Sequence, residues 1–173
     1  MNNIAIQYYN SPVGEMVIGS YDNQLCLCDW RYRKMRIIID QRLCKGLNSE
    51  FSEQPTPVTI EAVGQLKEYF AGQRHSFDLP LLLVGSEFQN QVWREIEKIN
   101  YGQTATYGQL AQKMKKPKAL RAVAGASGAN AISILIPCHR IIGSDGKLVG
   151  YAGGLEVKQK LLDLEDRSQL ELF

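Results

Sequence analysis

The stretch that most constrains this chain is Ile132 to Arg140, Ile-Ser-Ile-Leu-Ile-Pro-Cys-His-Arg. An apolar run rich in β-branched residues has to be buried, and it delivers a cysteine, an imidazole and a cation in immediate succession. It reads as a buried strand that ends at a thiol. Pro137 removes a ladder donor and fixes φ, so regular pairing should stop there and leave Cys138 at the edge of a cavity. Buried cysteine is more often inert filler than nucleophile. The neighbouring His139 and Arg140, with the glycine-rich stretch from Gly143 to Gly154 just downstream, favour a reactive thiol here.

Helical grammar surrounds this run. Ser86-x-x-Gln89 and Thr106-x-x-Gln109 each fit a capping box, in which a hydroxyl and a glutamine satisfy free amides of a first helical turn. The first helix is expected to bury Phe88, Val92, Ile96 and Ile99, the second to present Tyr107, Leu110, Ala111 and Met114. A third is expected from near Pro117 to about Ser127, and two short helices with a tight basic connection resemble a helix-turn-helix. The third has an unusually small-residue surface. Close packing on a neighbour accounts for Ala122 and Val123, but less well for Gly125, because glycine costs about 1 kcal/mol in a helix interior.

Residues 1–85 read differently. Segments at about 4–9, 13–20 and 24–30 carry β-formers punctuated by Ser11-Pro12 and Asp22-Asn23, consistent with an antiparallel meander. Residues 31–45 suit strand or helix and are read as helix, 46–58 as a loop. From Thr59 the spacing of Ile60, Val63, Leu66 and Phe70 predicts a helix ending at Gly72, and 73–85 reads as a strand and linker.

The 173 residues leave room for one large or two small domains, and no apolar run approaches the roughly 20 residues of a membrane span. Met1-Asn2-Asn3 opens nothing that resembles a signal peptide, so a cytoplasmic protein is expected. Cysteines at 26, 28, 44 and 138 form no disulfide framework, and Cys26-x-Cys28 with Cys44 and His75 matches no common zinc spacing, so no metal is expected. Residues 1–85 hold 8 basic and 9 acidic side chains, residues 86–173 hold 12 and 9. Five of those cations, Lys113, Lys115, Lys116, Lys118 and Arg121, fall within nine residues that contain no acid. Such a run is either a solvated helix face or a surface for a polyanion.

Pro137-Cys138-His139-Arg140, followed by Ile141-Ile142-Gly143 and Gly150-Tyr151-Ala152-Gly153-Gly154, resembles the active-site signature of the O6-alkylguanine-DNA alkyltransferases, the methylated-DNA–protein-cysteine methyltransferases. Phe88-Gln89-x-x-Val92-Trp93, Tyr101-Gly102-x-Thr104-x-x-Tyr107-Gly108, Arg121-Ala122-Val123, Asn130 and Lys158-x-x-Leu161-Leu162-x-x-Glu165 fall in the same order and spacing. The likeness is strong over 86–165 and loose before it. It implies a ribonuclease-H-like α/β domain over 1–85, then a winged helix-turn-helix domain over 86–173 that carries the thiol.

By this resemblance the chain is a monomeric, single-turnover repair enzyme. It takes the alkyl group from O6-alkylguanine in duplex DNA onto Cys138, without a cofactor, and O4-alkylthymine is the second lesion the resemblance offers. The residue types agree, since displacement at saturated carbon needs a soft anionic nucleophile and a thiolate is the side chain that supplies one at neutral pH. His139 would deprotonate Cys138 through a water, with Glu165 orienting the imidazole. Asn130 would tie the recognition helix to the site, although the family's usual Asn-Pro is here Asn130-Ala131. Tyr107 and Tyr151 would meet the flipped guanine and the backbone amide of Ala152 its O6. The carbonyls of Cys138 and Ile141 would accept from its amine, and Lys158 would support the site. Arg121 would enter the base stack, with Ala122, Gly125, Lys116 and Lys118 against the DNA. Three rivals remain at this point: a non-catalytic lesion binder, which lacks the cysteine; a winged-helix regulator, which has no need of Cys138, His139 and Glu165; and a cysteine hydrolase, in which the basic helix has no purpose.

Overall fold

The structure is a computed structural model that describes residues 2–170, with side chains to 167. The chain divides into two compact units, one up to Gly85 and one from Ser86.

In the first unit, β1 (Ile4–Ser11), β2 (Gly14–Tyr21) and β3 (Gln24–Trp30) form the antiparallel meander that the alternating sequence predicts. Asp22 and Asn23 both adopt positive φ, 49° and 60°, the two-residue turn whose twist matches the flanking strands. Helix α1 (Arg36–Leu47) then ends on Asn48 in the left-handed region, and β4 (Phe51–Glu53) runs parallel to β1. The sheet order is β3-β2-β1-β4. The expected loop at 46–58 thus holds a strand. It is three residues long, too short to show a period.

Helix α2 (Pro57–Phe70) begins two residues before the predicted Thr59, because Thr56 is its cap and Pro57 occupies the first turn. Thr59 Oγ1 donates to Gln7 Oε1 on β1 at 2.8 Å, and Ser20 Oγ on β2 lies 2.8 Å from Thr56 Oγ1, which fixes the helix on the sheet. Residues 73–85 do not form the expected strand. They make one bridge, in which Leu25 donates to Pro80 O and Leu82 to Leu25 O, both at 2.8 Å. Proline at 80 has no amide to extend it.

In the second unit both predicted capping boxes form. Ser86 caps α3 (Glu87–Glu97) and Thr106 caps α4 (Tyr107–Lys113), each reciprocated by the glutamine three residues on. Val92, Trp93 and Ile96 are buried, Phe88 is half-buried, and Ile99 packs from beyond the helix end. Helix α5 (Leu120–Gly128) starts later than Pro117, with 117–118 in a turn. Trp93 Nε1 donates to Ala126 O at 2.8 Å and clamps α5 to α3. Two residues of β5 (Ala105–Thr106) pair in parallel with β6 (Ile141–Ile142), and α6 (Leu155–Leu170) follows.

Candidate active site

The run from Ile132 is not a strand. Ile134 stands at φ 73°, and the chain turns back so that Ile136 N–H donates to Ile132 O at 2.9 Å. Asn130 organises this turn: its Oδ1 accepts from Ile132 N–H at 2.9 Å, and its Nδ2 donates to Ile136 O at 2.9 Å. Pro137, at φ −82° and ψ 63°, centres a three-residue turn closed by Cys138 N–H to Ile136 O at 2.8 Å. Cys138 to Arg140 then make one turn of 3₁₀ helix. The apolar residues are buried as the sequence requires, and the amides of Ile132 and Ile136 are satisfied by Asn130 and within the turn rather than by a partner strand.

Cys138 is 7% exposed, and its Sγ receives Asn130 Nδ2 at 3.3 Å. His139 is fully buried. Its Nε2 lies 2.7 Å from Glu165 Oε1, while its Nδ1 is buried and without a hydrogen-bond partner among the described residues. Glu165 sits on α6, where Lys158 and Leu161 share its buried face at helical spacing. Arg140, which the sequence marks only as a cation beside the thiol, binds the same carboxylate through Nε to Oε2 at 2.9 Å and Nη2 to Oε1 at 3.0 Å. Its Nη1 donates to Ile99 O at 2.5 Å, and Gly102 N–H adds a contact to Oε2 at 3.2 Å. The sequence signal was there: a cation at the end of a buried run requires a buried acid.

Burial by itself would raise the Glu165 carboxyl, but the hydrogen bonds and charges of His139 and Arg140 outweigh it and bring the pKa to about 2. Burial pushes the His139 imidazole below its usual value, against the pull of Glu165. The imidazole is therefore neutral at neutral pH, and the charge that holds Glu165 ionised is that of Arg140. A neutral ring beside a carboxylate carries its proton on Nε2, which leaves Nδ1 with a bare lone pair. Lys158 is wholly buried and spans two carbonyls, those of Ile141 and of Val149, the latter at 2.7 Å. Burial lowers its pKa, and the charge of Cys138 pulls the other way.

The profile of the 6-O-methylguanine DNA methyltransferase DNA-binding domain matches residues 87–167, and that of the ribonuclease-like domain of the same proteins matches 4–83. A methylated-DNA–protein-cysteine methyltransferase of Mycolicibacterium paratuberculosis is 55% identical over 170 residues, 95% of each chain. The constitutive enzyme of that name from Bacillus subtilis is 38% identical, covering 96% of this chain and 99% of its own. The crystal structure of Mycobacterium tuberculosis OGT in complex with DNA superposes with a TM-score of 0.83 at 35% identity, over 95% of this chain and 94% of the other. The chain belongs to the 6-O-methylguanine DNA methyltransferase family.

The remaining residues singled out for this methyltransferase fall into two groups. Tyr107, Ile141, Tyr151 and Lys158 are part of the surroundings of Cys138 and His139. The charge of Cys138 acts on both Tyr107 and Lys158, the Tyr107 hydroxyl is bonded to Ser127, and the Tyr151 ring meets that of His139 edge-on at 6.2 Å. Ala152 follows in the half-buried loop. The carbonyl of Cys138 accepts from Ile141 N–H and that of Ile141 from Lys158. The other group is exposed: Arg121, Ala122 and Gly125 on α5, with Lys116 and Lys118 on the turn before it. Ala122 is on the open surface and not packed on a neighbour; Val123 is the residue that faces inward. A Cβ built on Gly125 meets nothing within 4 Å, so packing within the protein does not require glycine there.

No group of three or more His, Cys, Asp or Glu among the described residues could hold a metal ion. Cys26 and Cys28 lie in the core of the first unit, where burial pushes both thiols up, Cys26 to about 12, against the deprotonation that metal binding needs.

Proposed function

We propose that this protein repairs O6-alkylguanine in duplex DNA by moving the alkyl group irreversibly onto Cys138. The observation that carries the reading is the thiol beside an imidazole whose Nε2 is held by Glu165 and whose buried Nδ1 has no partner. A water bridging Nδ1 and Sγ passes the thiol proton to His139. The thiolate then attacks the alkyl carbon, the C–O6 bond breaks with its electron pair going to the guanine, and the base takes up a proton. No redox partner or cofactor enters this balance.

Helices α4 and α5 serve as the helix-turn-helix and the glycine-rich loop after β6 as its wing. The exposed face of α5 meets the DNA, with Lys116 and Lys118 on the phosphates and Arg121 filling the gap left by the flipped nucleotide. Asn130 holds the end of α5 to the thiol, Tyr107 and Tyr151 wall the base, and the Ala152 amide meets O6. The protein acts as a monomer in the cytoplasm. Incubation with a duplex carrying O6-methylguanine, followed by mass spectrometry, tests this: one methyl per molecule is expected, on Cys138. Many lesions repaired per molecule without added thiol would overturn it.

A further inference from the structure

Arg140 has no part in the transfer step itself, yet it makes more contacts with Glu165 than His139 does. Two of its nitrogens grip both carboxylate oxygens, at 2.9 and 3.0 Å, and a third is tied to Ile99 O, all in a site where Arg140, Glu165 and His139 are 6%, 1% and 0% exposed. Glu165 Oε1 therefore has two partners, His139 Nε2 and Arg140 Nη2. We propose that Arg140 is a positioning residue that keeps the His139–Glu165 couple one proton short, and so preserves the bare Nδ1 on which deprotonation of Cys138 depends.

Charge decides the protonation of the couple. With Arg140 in place, the resting trio of neutral imidazole, carboxylate and guanidinium sums to zero, and a further proton would leave a net positive charge in a dry pocket that already holds buried Lys158. Without the guanidinium the same couple carries an uncompensated negative charge, and burial then favours taking up a proton. Where that proton resides does not matter. On the ring it makes imidazolium; on the carboxylate it reverses the Nε2 bond and moves the ring proton to Nδ1; either removes the base. The other groups facing the couple do not replace the guanidinium. Lys158 from α6 is committed to two carbonyls, Cys138 is anionic when it titrates, and the phenols of Tyr151 and Tyr101, the ring of the latter 5.7 Å from the guanidinium, supply no positive charge.

Because this rests on the alkyl-transfer reading, the test begins with a quantity that does not require transfer. The chain has two histidines, His75 and His139, so their ¹⁵N imidazole resonances are readily assigned. In the unmodified protein His139 is expected neutral with its proton on Nε2 at pH 7; an imidazolium there overturns the proposal. In Arg140→Gln the protonation midpoint of the couple should rise by about one to three pH units, the usual effect of losing an adjacent opposite charge. Arg140→Gln/Glu165→Gln should bring it back down, and Arg140→Lys, which keeps the charge but not the fork, should hold it near the unmodified position. The acid limb of Cys138 alkylation by free O6-benzylguanine should move in step. If Arg140→Gln lowers thermal stability but leaves both midpoints in place, Arg140 is structural only and the proposal fails. Should Arg140→Gln not fold, the tautomer in the unmodified protein and the midpoint in Arg140→Lys decide it: a midpoint raised despite the retained charge refutes it.

Discussion

Asn130 donates from one amide nitrogen to both the Ile136 carbonyl, at 2.9 Å, and the Cys138 sulfur, at 3.3 Å. A residue just past the end of α5, itself tied to that end through its N–H to Ser127 O, is thereby bonded to the atom proposed to react. With its Oδ1 on Ile132 N–H, Asn130 satisfies three buried groups at 2% exposure. Asn130→Ala removes these bonds and should cost at least about 2 kcal/mol, since each buried group that loses its partner costs about 1–3. The urea midpoint reads this directly, and a change within error would mean that the turn is held by its apolar residues alone.

Alkylation should weaken the same joint. A methyl on Sγ intrudes on a buried site, where overpacking typically costs about 1–3 kcal/mol, and a thioether is a poorer acceptor for Asn130. For a chain of this length each kcal/mol is worth about 2–4 °C. The methylated protein is expected to melt several degrees lower and to be cut faster by protease at 128–140, with benzyl worse than methyl. Coincident melts would show that the turn absorbs the group.

Acid should destabilise the protein in two windows. The unfolded chain takes up a proton on the imidazole near pH 6.5 that the buried, depressed His139 refuses, so stability falls as pH drops below about 6.5. Glu165 is depressed from 4.5 to about 2, so its contribution is complete above about pH 4.5 and is lost between there and about 2. That contribution is on the order of 3 kcal/mol. Denaturant titrations across pH should show both slopes, and Glu165→Gln should flatten the lower one. Parallel profiles for the two proteins would refute it.

The exposed side of α5 should separate stability from repair. Gly125→Ala adds a Cβ into open space and should stabilise the helix by up to about 1 kcal/mol, whereas Gly125→Leu should slow duplex repair without affecting free O6-benzylguanine. Arg121→Ala should behave like the latter, because an exposed guanidinium supports no core. Equal loss on both substrates would assign Arg121 to the fold.

What the sequence disclosed was local chemistry of fixed spacing. Ser86 with Gln89 and Thr106 with Gln109 marked helix starts to the residue, because a capping box is a four-residue contract between side chain and backbone. Cys138 and His139 were visible as residue types, Glu165 only through the family resemblance, and Lys158 from its seven-residue offset to Glu165. What stayed hidden depended on distant partners. β4 forms because β1 offers it an edge, and the Ile132 run turns because Asn130 bonds the Ile132 amide and the Ile136 carbonyl from the side, which hydrophobicity does not encode. Arg140 was passed over because its partner lies 25 residues away on α6.

The outer face of α5 also says something about which DNA the protein can ignore. Ala122, Gly125 and Gly128 offer no side-chain donor or acceptor to a base edge, and Arg121 is the lone charged group among these four exposed positions. On the proposed reading, such a helix distinguishes groove width and backbone but not base order. Neighbouring sequence then has little vote in whether a guanine is inspected, which fits a chemical injury that strikes without regard to context.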